Sequence, residues 1–393
     1  MIHRYQKKGL NFVLDVNSGA VHLLDDISYA VSGLLDENMG DTCPQGIIDA
    51  LPDYTADEIR EAYDELYELK KAGQLFAQDD YIDVSRYIPV NAPVKALCLH
   101  VAHDCNLRCK YCFASTGDFG QGRKIMPPEI AKKAIDFVIA RSGVRHNIEV
   151  DFFGGEPLMA WDTVTQTVDY ARSLEEKYNK KFRFTITTNG LLLDEDKRKY
   201  INENMDNCVL SLDGRREVND EFRKTVAGTG SYDTIVPKFK ALVDERDPNL
   251  DYYARGTFTS HNLDFAEDVL SIADAGFDRL SVEPVTADPG CGYDLTEDDL
   301  PKIEAEYDRL TDIMLERKKE GKPFTFFHFM VDLDQGPCVV KRLRGCGAGY
   351  EYVAVTPDGD IYPCHQFVGK DEFKQGSVLD QSFNMDIAQK FAG

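Results

Sequence analysis

The sequence predicts an α/β fold whose largest part is a partial barrel of six strand–helix units. From Lys95 onward, short apolar runs rich in β-branched residues alternate with longer polar segments of helical period, as in parallel strands joined by crossover helices. Six units make an open version of the eightfold barrel, with functional groups expected at the carboxyl ends of the strands. The predicted strands span residues 96–102, 148–154, 182–187, 208–212, 252–259 and 279–285, and the predicted helices span residues 127–140, 163–178, 195–204, 232–245, 264–275 and 297–319.

Changes in composition divide the chain into three predicted domains. Residues 1–80 form the first and precede a linker of mixed character, 79–94, which carries two prolines. The barrel is predicted over residues 95–320. Aromatic residues, glycine and cysteine then become frequent, so residues 321–393 are predicted to form a third domain.

Length, hydrophobic content and charge narrow the classes of function. With 43% hydrophobic residues, the chain of 393 residues can bury a large core. No apolar run approaches the ~20 residues needed to cross a bilayer, and the first residues lack the apolar segment of a secretory signal. A cytoplasmic location, where the ten cysteines stay reduced, is therefore expected. The net charge of -23 argues against nucleic acid or anionic lipid as a partner, because both bind basic surfaces.

The N-terminal segment predicts a small winged-helix-like domain. Two short strands, 11–15 and 20–24, turn through residues 17–19, helices follow, and a final short strand is predicted at 75–76. Residues 1–90 hold seven Lys or Arg against seventeen Asp or Glu, so the domain is not expected to bind DNA. An exposed strand edge beside a helix can instead add an extended peptide to its sheet. The domain resembles the precursor-peptide recognition element of enzymes that modify ribosomally made peptides, and a plain structural cap on the barrel is the alternative.

Three cysteines at CxxxCxxC spacing follow the first predicted barrel strand directly. Thiolates of Cys105, Cys109 and Cys112 on one short loop can hold three irons of a 4Fe-4S cluster and leave the fourth iron free. A zinc site would need a fourth protein ligand, and the neighbouring sequence offers none. Structural zinc and ordinary buried thiols remain as the alternatives at this stage.

With Tyr111 before its last cysteine, this loop resembles the signature of radical S-adenosylmethionine (SAM) enzymes. The resemblance implies that Cys105, Cys109 and Cys112 form the catalytic centre and that Tyr111 belongs to the cofactor site. In that family the open iron chelates the amino and carboxylate groups of SAM. An electron, delivered by an external reductant of flavodoxin or ferredoxin type, then cleaves the sulfonium to a 5'-deoxyadenosyl radical.

A run of two glycines and a glutamate follows the second barrel strand. Paired glycines at a strand end allow a ligand to approach the backbone closely, although Gly-Gly-Glu-Pro alone also describes a turn. In radical SAM enzymes the matching segment binds the amino group of SAM. The resemblance therefore assigns Gly154, Gly155 and Glu156 to the cofactor pocket.

Polar residues gather at the ends of the next three strands. The third strand ends with Thr188 and Asn189, and the fourth ends with Ser211 and Asp213. By resemblance, Ser211 and Asp213 lie near the ribose and the methionine part of SAM, while Thr188 and Asn189 share the rim. Each pair also fits an ordinary turn. Arg255, inside the fifth strand, is expected to pair with the SAM carboxylate or with an acidic neighbour.

Cysteines reappear at ligand spacing in the third domain. Cys338 and Cys346 precede a predicted hairpin that turns at 357–359, and Cys364 follows it. This pattern resembles the opening half of the SPASM domain, which holds auxiliary 4Fe-4S clusters, so the three cysteines are expected to be cluster ligands. The family's second cysteine group is missing before Gly393, and a truncated sequence is the expectation drawn from this.

The sequence around Cys346 and Cys364, together with residues 14–22, resembles the maturases of six-cysteine (SCIFF) peptides. These enzymes form thioethers, so the resemblance implies crosslinks from cysteine sulfur to carbon in a ribosomal precursor peptide. Formylglycine formation, as in anaerobic sulfatase maturases, is the first alternative, although those relatives carry Asp at the position of His365. A non-catalytic zinc- or peptide-binding protein is the alternative from another class.

Overall fold

The computed structural model of the chain describes residues 1–79, 93–331 and 345–392. These residues divide into two compact units, one containing residues 1–79 and the other containing residues 93–330 with 346–392. Within the described ranges, no helix has both the length and the apolar character needed to cross a membrane.

The first unit is a three-stranded antiparallel sheet followed by three helices. Its strands are β1 (Ile2–Lys7), β2 (Leu10–Asp15) and β3 (Val21–Leu24), in the order β1-β2-β3, and its helices are α1 (Asp26–Ser32), α2 (Gln45–Ala50) and α3 (Ala56–Lys71). Helix α3 starts at a capping box in which Thr55 and Glu58 satisfy each other's backbone N–H groups. Its inner face buries Ile59, Tyr63 and Leu66 against the sheet residue Val13.

The predicted hairpin of this unit is confirmed as β2 and β3, but two details differ. Strand β1 was not predicted, because its sequence is mostly polar and basic; pairing with β2 from Ile2↔Asp15 onward makes it a strand. The strand predicted at 75–76 is wrong. Phe76 has φ +51, which breaks an extended run, and Leu75 and Phe76 are both buried in the core of the unit.

The second unit contains a parallel sheet in which all six predicted barrel strands are present. They are β4 (Ala96–His103), β6 (Asn147–Gly154), β7 (Lys181–Thr188), β8 (Asn207–Ser211), β9 (Asp251–Phe258) and β10 (Arg279–Pro284). They lie side by side in chain order, β11 (Thr325–Phe326) adds to β10 in parallel, and the short β5 (Lys124–Ile125) pairs with the end of β4.

Helices connect these strands and cover the sheet. They are α4 (Pro128–Arg141), α5 (Trp161–Tyr178), α6 (Glu195–Asn204), α7 (Arg216–Phe222), α8 (Tyr232–Asp244), α9 (Phe265–Asp274) and α10 (Leu300–Lys319). Only α7 was not predicted among them. The main core lies between helices and sheet, where strand residues such as Leu99, Phe152 and Phe184 are fully buried.

The C-terminal segment extends the same sheet. Strand β12 (Tyr352–Val355) runs parallel to β4, followed by the antiparallel strands β13 (Asp360–Tyr362), β14 (Gly376–Ser377) and β15 (Ser382–Phe383) and by helix α11 (Met385–Ala392). The predicted hairpin is therefore confirmed as β12 and β13. The sheet as a whole is mixed, because a parallel central part carries antiparallel strands beyond β12.

Candidate active site

A cavity of about 310 Å³ opens at the carboxyl ends of the parallel strands. The loops after β4 and β6, the ends of β7 to β10 and the residues after β13 all contribute to its wall. Eleven residues predicted for the site line it: Cys105, Cys109, Tyr111, Cys112, Gly154, Gly155, Glu156, Thr188, Asn189, Ser211 and Arg255. Most of these residues lie at or just after the carboxyl ends of the strands.

The cysteine loop is held by main-chain hydrogen bonds to the segment after α7. Arg108 N–H donates to the carbonyl of Lys224 at 2.7 Å, and Lys110 N–H donates to that of Phe222 at 3.0 Å. All three cysteines are free thiols. Burial raises the pKa of the Cys105 and Cys109 thiols to about 12, so each thiol keeps its proton until a metal displaces it.

The paired glycines allow the second strand to approach the cysteine loop. A Cβ at Gly154 would lie 2.3 Å from the carbonyl oxygen of Ala102, and one at Gly155 would lie 2.1 Å from that of Asp104. Gly155 N–H donates to the Ala102 carbonyl at 2.7 Å, and Glu156 N–H donates to the Asp104 carbonyl at 2.9 Å. Close packing of the backbone around Cys105 therefore requires glycine at both positions. The sequence had instead suggested that the glycines allow a ligand to approach the backbone.

Glu156 links the ends of β6 and β7 beneath the cavity. Its carboxylate accepts hydrogen bonds from Thr188 Oγ1 at 2.7 Å, from Asn189 N–H at 2.8 Å and from Leu158 N–H at 3.0 Å. The side chain is almost fully buried, and this burial raises its pKa to about 7. Asn189 continues the network, since its Nδ2 donates to Asn106 Oδ1 in the cysteine loop at 2.7 Å.

Asp213 is the residue predicted for the SAM pocket that does not line the cavity. It is fully buried behind the cysteine loop, where Tyr111 OH donates to it at 2.6 Å and Arg223 Nε lies 3.0 Å from its Oδ1. Thr257 N–H donates to the same oxygen at 3.0 Å. Asp213 therefore fixes Tyr111 and balances the charge of Arg223, which does line the cavity and was not predicted.

Arg255 faces the cavity from β9 and makes no ion pair with any residue in the described ranges. The guanidinium can therefore still pair with the carboxylate of a ligand, one of the two partners expected from the sequence. Glu283 and His365 lie on the same wall, and the Arg255 charge acts on both. His365 was not predicted to line the cavity, because only the pairing of β12 with β4 brings it there.

Two of the three C-terminal cysteines lie at the open end of the hairpin. Cys346 is exposed and Cys364 is half-buried, and Gly349 N–H donates to the Pro363 carbonyl at 2.9 Å between them. Cys364 Sγ accepts from Gln366 N–H at 3.5 Å. The predicted ligand Cys338 lies outside the described residues.

Two family models match the chain. Residues 99–253 match the radical SAM superfamily, and residues 346–390 match the SPASM iron-sulfur cluster-binding domain. The chain carries a radical SAM domain joined to a SPASM domain. Together these domains indicate a 4Fe-4S cluster, SAM and auxiliary clusters as cofactors.

Relatives in the curated proteins cover most of the chain at low identity. A cysteine-type anaerobic sulfatase-maturating enzyme of Clostridium novyi is 25% identical over 310 residues, covering 73% of this chain and 78% of that protein. An uncharacterised protein of Archaeoglobus fulgidus is 25% identical over 287 residues, which are 72% of this chain and 64% of that protein. The chain thus spans less than two thirds of the archaeal relative.

Solved structures share the fold. Native anSMEcpe with bound AdoMet superposes with a TM-score of 0.64 at 20% identity, over 76% of this chain and 83% of that chain. Streptococcus suis SuiB bound to its precursor peptide SuiA superposes with a TM-score of 0.55 at 17% identity, over 98% of this chain and 87% of that chain.

The side chains of the radical SAM domain fit an iron-sulfur cluster. Each cysteine of a 4Fe-4S cluster binds a different iron, so the sulfurs need not converge on one point. In the part of the chain that the structure describes, no three His, Cys, Asp or Glu side chains are grouped to hold a single metal ion, as zinc would require. Leu107 N–H at 3.4 Å and Asn189 Nδ2 at 3.6 Å donate to Cys105 Sγ, and such donors stabilise a metal-bound thiolate.

Proposed function

We propose that the protein is a radical SAM maturase that forms thioether crosslinks in a ribosomally made, cysteine-rich peptide. The observation that supports it best is that one cavity combines the cysteine loop, the polar rim predicted for SAM and His365 of the SPASM segment. A peptide residue in this cavity would lie next to both cofactor regions. When bound, the cluster and SAM supply a 5'-deoxyadenosyl radical that removes a hydrogen atom from the substrate.

The chain's own residues hold and orient these cofactors in the proposal. Cys105, Cys109 and Cys112 are the ligands of the first cluster. Glu156 keeps the rim rigid through its three hydrogen bonds, and the guanidinium of Arg255, which forms no ion pair within the described residues, offers a partner for the carboxylate of SAM. Cys346 and Cys364, with Cys338, would hold an auxiliary cluster, which would supply an acceptor for one electron. An external flavodoxin or ferredoxin supplies the electron that starts each turnover.

The N-terminal unit is the proposed docking site for the precursor peptide. Strand β3 forms one edge of its sheet, and Val21 and Leu23 on this strand are exposed by 38% and 61%. A peptide that adds to this edge would form main-chain hydrogen bonds and cover both side chains. The related fold of SuiB binds a precursor peptide, which supports a peptide as the partner here. Val21 and Leu23 are thus the side chains to change when docking is tested.

Docking at β3 is tested by fluorescence anisotropy of a labelled precursor peptide. Leu23→Asp should weaken binding at least tenfold, because a desolvated carboxylate replaces an apolar contact. Leu10→Asp is the matched control, since Leu10 is also exposed but lies at the start of β2. Equal affinities of the two variants would favour the alternative in which the unit only caps the barrel.

The product distinguishes thioether formation from the formylglycine alternative, which the Clostridium novyi relative favours. Anaerobic co-expression of the protein with a candidate cysteine-rich precursor peptide, followed by mass spectrometry, is the test. A thioether removes two hydrogens and protects the cysteine from alkylation. A formylglycine loses the sulfur and reacts with hydrazide reagents. A peptide whose cysteines all remain alkylatable would overturn the proposal.

A further inference from the structure

Three side chains outside the cofactor region form a hydrogen-bonded chain that starts at the cavity wall. Glu283 at the end of β10 lines the cavity, and its Oε2 lies 2.9 Å from Nε2 of His328. Nδ1 of the same imidazole lies 2.8 Å from the hydroxyl of Tyr307 on α10. Ser281 Oγ donates to the other carboxylate oxygen, Oε1. None of these side chains has a role in the proposed binding of the cofactors or the peptide.

The Glu283 carboxylate fixes the direction of one of these hydrogen bonds. An ionised carboxylate can only accept, so Nε2 of His328 carries the proton that is donated to Glu283. The Tyr307 hydroxyl beside Nδ1 can serve as donor or acceptor. The two contacts hold the imidazole with Nε2–H directed at the carboxylate.

This series of hydrogen-bonded side chains runs from the cavity wall into the protein behind it. The Glu283 side chain is 28% exposed, and the His328 side chain is 20% exposed but does not line the cavity. The imidazole packs against the rings of Tyr307 and Phe326 at centroid distances of 5.8 and 5.0 Å. Across the sheet, Arg255 on β9 is the other charged group that acts on Glu283.

The other acid–base groups on the cavity wall already have partners. Glu156 accepts three hydrogen bonds and is buried, and the Tyr111 hydroxyl is committed to Asp213. His365 lies 3.2 Å from Tyr352 OH and 3.7 Å from Cys364 Sγ, the expected cluster ligand. Among the described residues, Glu283 is thus the accessible carboxylate with a second group behind it to share a proton.

We propose that Glu283 accepts the proton of the reacting peptide cysteine and that His328 positions its carboxylate for this step. The inference rests on the proposed thioether function. Forming one C–S bond breaks one C–H and one S–H bond, and a hydrogen atom, a proton and an electron leave the peptide. The hydrogen atom goes to the adenosyl radical, the electron goes to an auxiliary iron-sulfur cluster, and the S–H proton goes to Glu283.

Glu283→Gln separates this role from binding and from cofactor assembly. In the reconstituted full-length protein, the variant should crosslink peptide at least about 100-fold more slowly, the lower bound for losing a general base. Peptide affinity, iron content and 5'-deoxyadenosine formation should stay within twofold of the wild type. Glu267→Gln is the matched control, because Glu267 pairs with Arg309 and does not line the cavity.

His328 variants test the positioning role. His328→Gln keeps a donor near the place of Nε2 and should retain most of the crosslinking rate, whereas His328→Phe should lower it about tenfold. Long-range ¹H–¹⁵N correlation spectra should show the Nε2–H tautomer of His328 in the wild type and a mixture in Glu283→Gln. A merely structural role would leave the tautomer unchanged.

Crosslinking by Glu283→Gln at the wild-type rate would overturn the inference while leaving the proposed function intact. Parallel loss of peptide binding, iron and crosslinking would also overturn it, because Glu283 would then be structural. A wild-type enzyme that cleaves SAM but yields no thioether overturns the proposed function, and this inference with it.

Discussion

The two cysteine regions of the protein are built in different ways. Cys105, Cys109 and Cys112 lie on one short loop that backbone contacts fix on two sides, through Gly155 and through the segment after α7. Cys346 and Cys364 lie at the end of a hairpin, and Cys346 is exposed. The first region is preorganised by local sequence and close packing. The second depends on the pairing of β12 with β4 to come near the cavity.

The difference implies that the two regions respond unequally to loss of cysteine. Replacing Cys105, Cys109 and Cys112 by Ala should abolish 5'-deoxyadenosine formation, because they are the cysteines among the described residues that line the cavity. Replacing Cys346 and Cys364 by Ala should leave that reaction close to the wild type and remove crosslinking. Liquid chromatography of the nucleoside products, with iron counted per chain, measures both. The comparison fails if the triple variant still cleaves SAM.

The buried Asp213–Arg223 ion pair behind the first loop should contribute more to the free energy of unfolding than the ion pair near the second region. Asp213→Asn leaves the Arg223 guanidinium buried without its counter-charge and should cost about 3–5 kcal/mol. Glu351→Gln breaks the partly exposed pair with Lys95, beside β12, and should cost at most about 1 kcal/mol. Urea unfolding of both variants tests this. A smaller loss for Asp213→Asn than for Glu351→Gln would contradict it.

The junction of the two regions should make stability depend on pH. Asp151 on β6 is the register partner of Cys98 on β4, and β4 pairs with β12 on its opposite edge. Burial raises the pKa of the Asp151 carboxyl from 3.8 to about 6. The folded state then binds this proton more tightly than the unfolded state, so stability falls as pH rises from about 4 to above 6.

Asp151→Asn removes the titrating carboxyl and with it this loss of stability. The variant should match the wild type near pH 4 and exceed it at pH 8 by up to about 3 kcal/mol. Thermal unfolding of both proteins at the two pH values measures the difference. Parallel pH profiles of the two proteins would show that Asp151 does not titrate with folding.

A small effect is expected in the hairpin turn. Gly359 has φ +86, which an alanine adopts at a cost of about 1–2 kcal/mol, and the nearest atoms to its Cβ would belong to the side chains of Val378, Leu379 and Ile130. Gly359→Ala should therefore lower stability modestly and leave the first cluster intact. Gly155→Ala, whose Cβ meets backbone at 2.1 Å, should reduce iron binding at the cysteine loop. Iron content and unfolding temperature distinguish the two.

Features encoded in short stretches of the chain could be predicted from the sequence. The period of apolar residues gave the six barrel strands and their helices, and the CxxxCxxC spacing gave the cluster loop, because both depend on neighbours within a few turns. Two segments depart from their local sequence preference. Strand β1 forms because it pairs with β2, and the strand predicted at 75–76 does not form because Phe76 adopts a left-handed φ.

Which distant groups come into contact could not be predicted from the sequence and depends on the tertiary fold. Asp213 turned away from the cavity to join Tyr111 and Arg223, and His365 reached it through β12. The Glu283–His328 contact joins residues 45 positions apart. Such contacts arise where buried charges and hydrogen-bonding groups must find partners as the sheet closes over its core, and no local period or spacing encodes that choice.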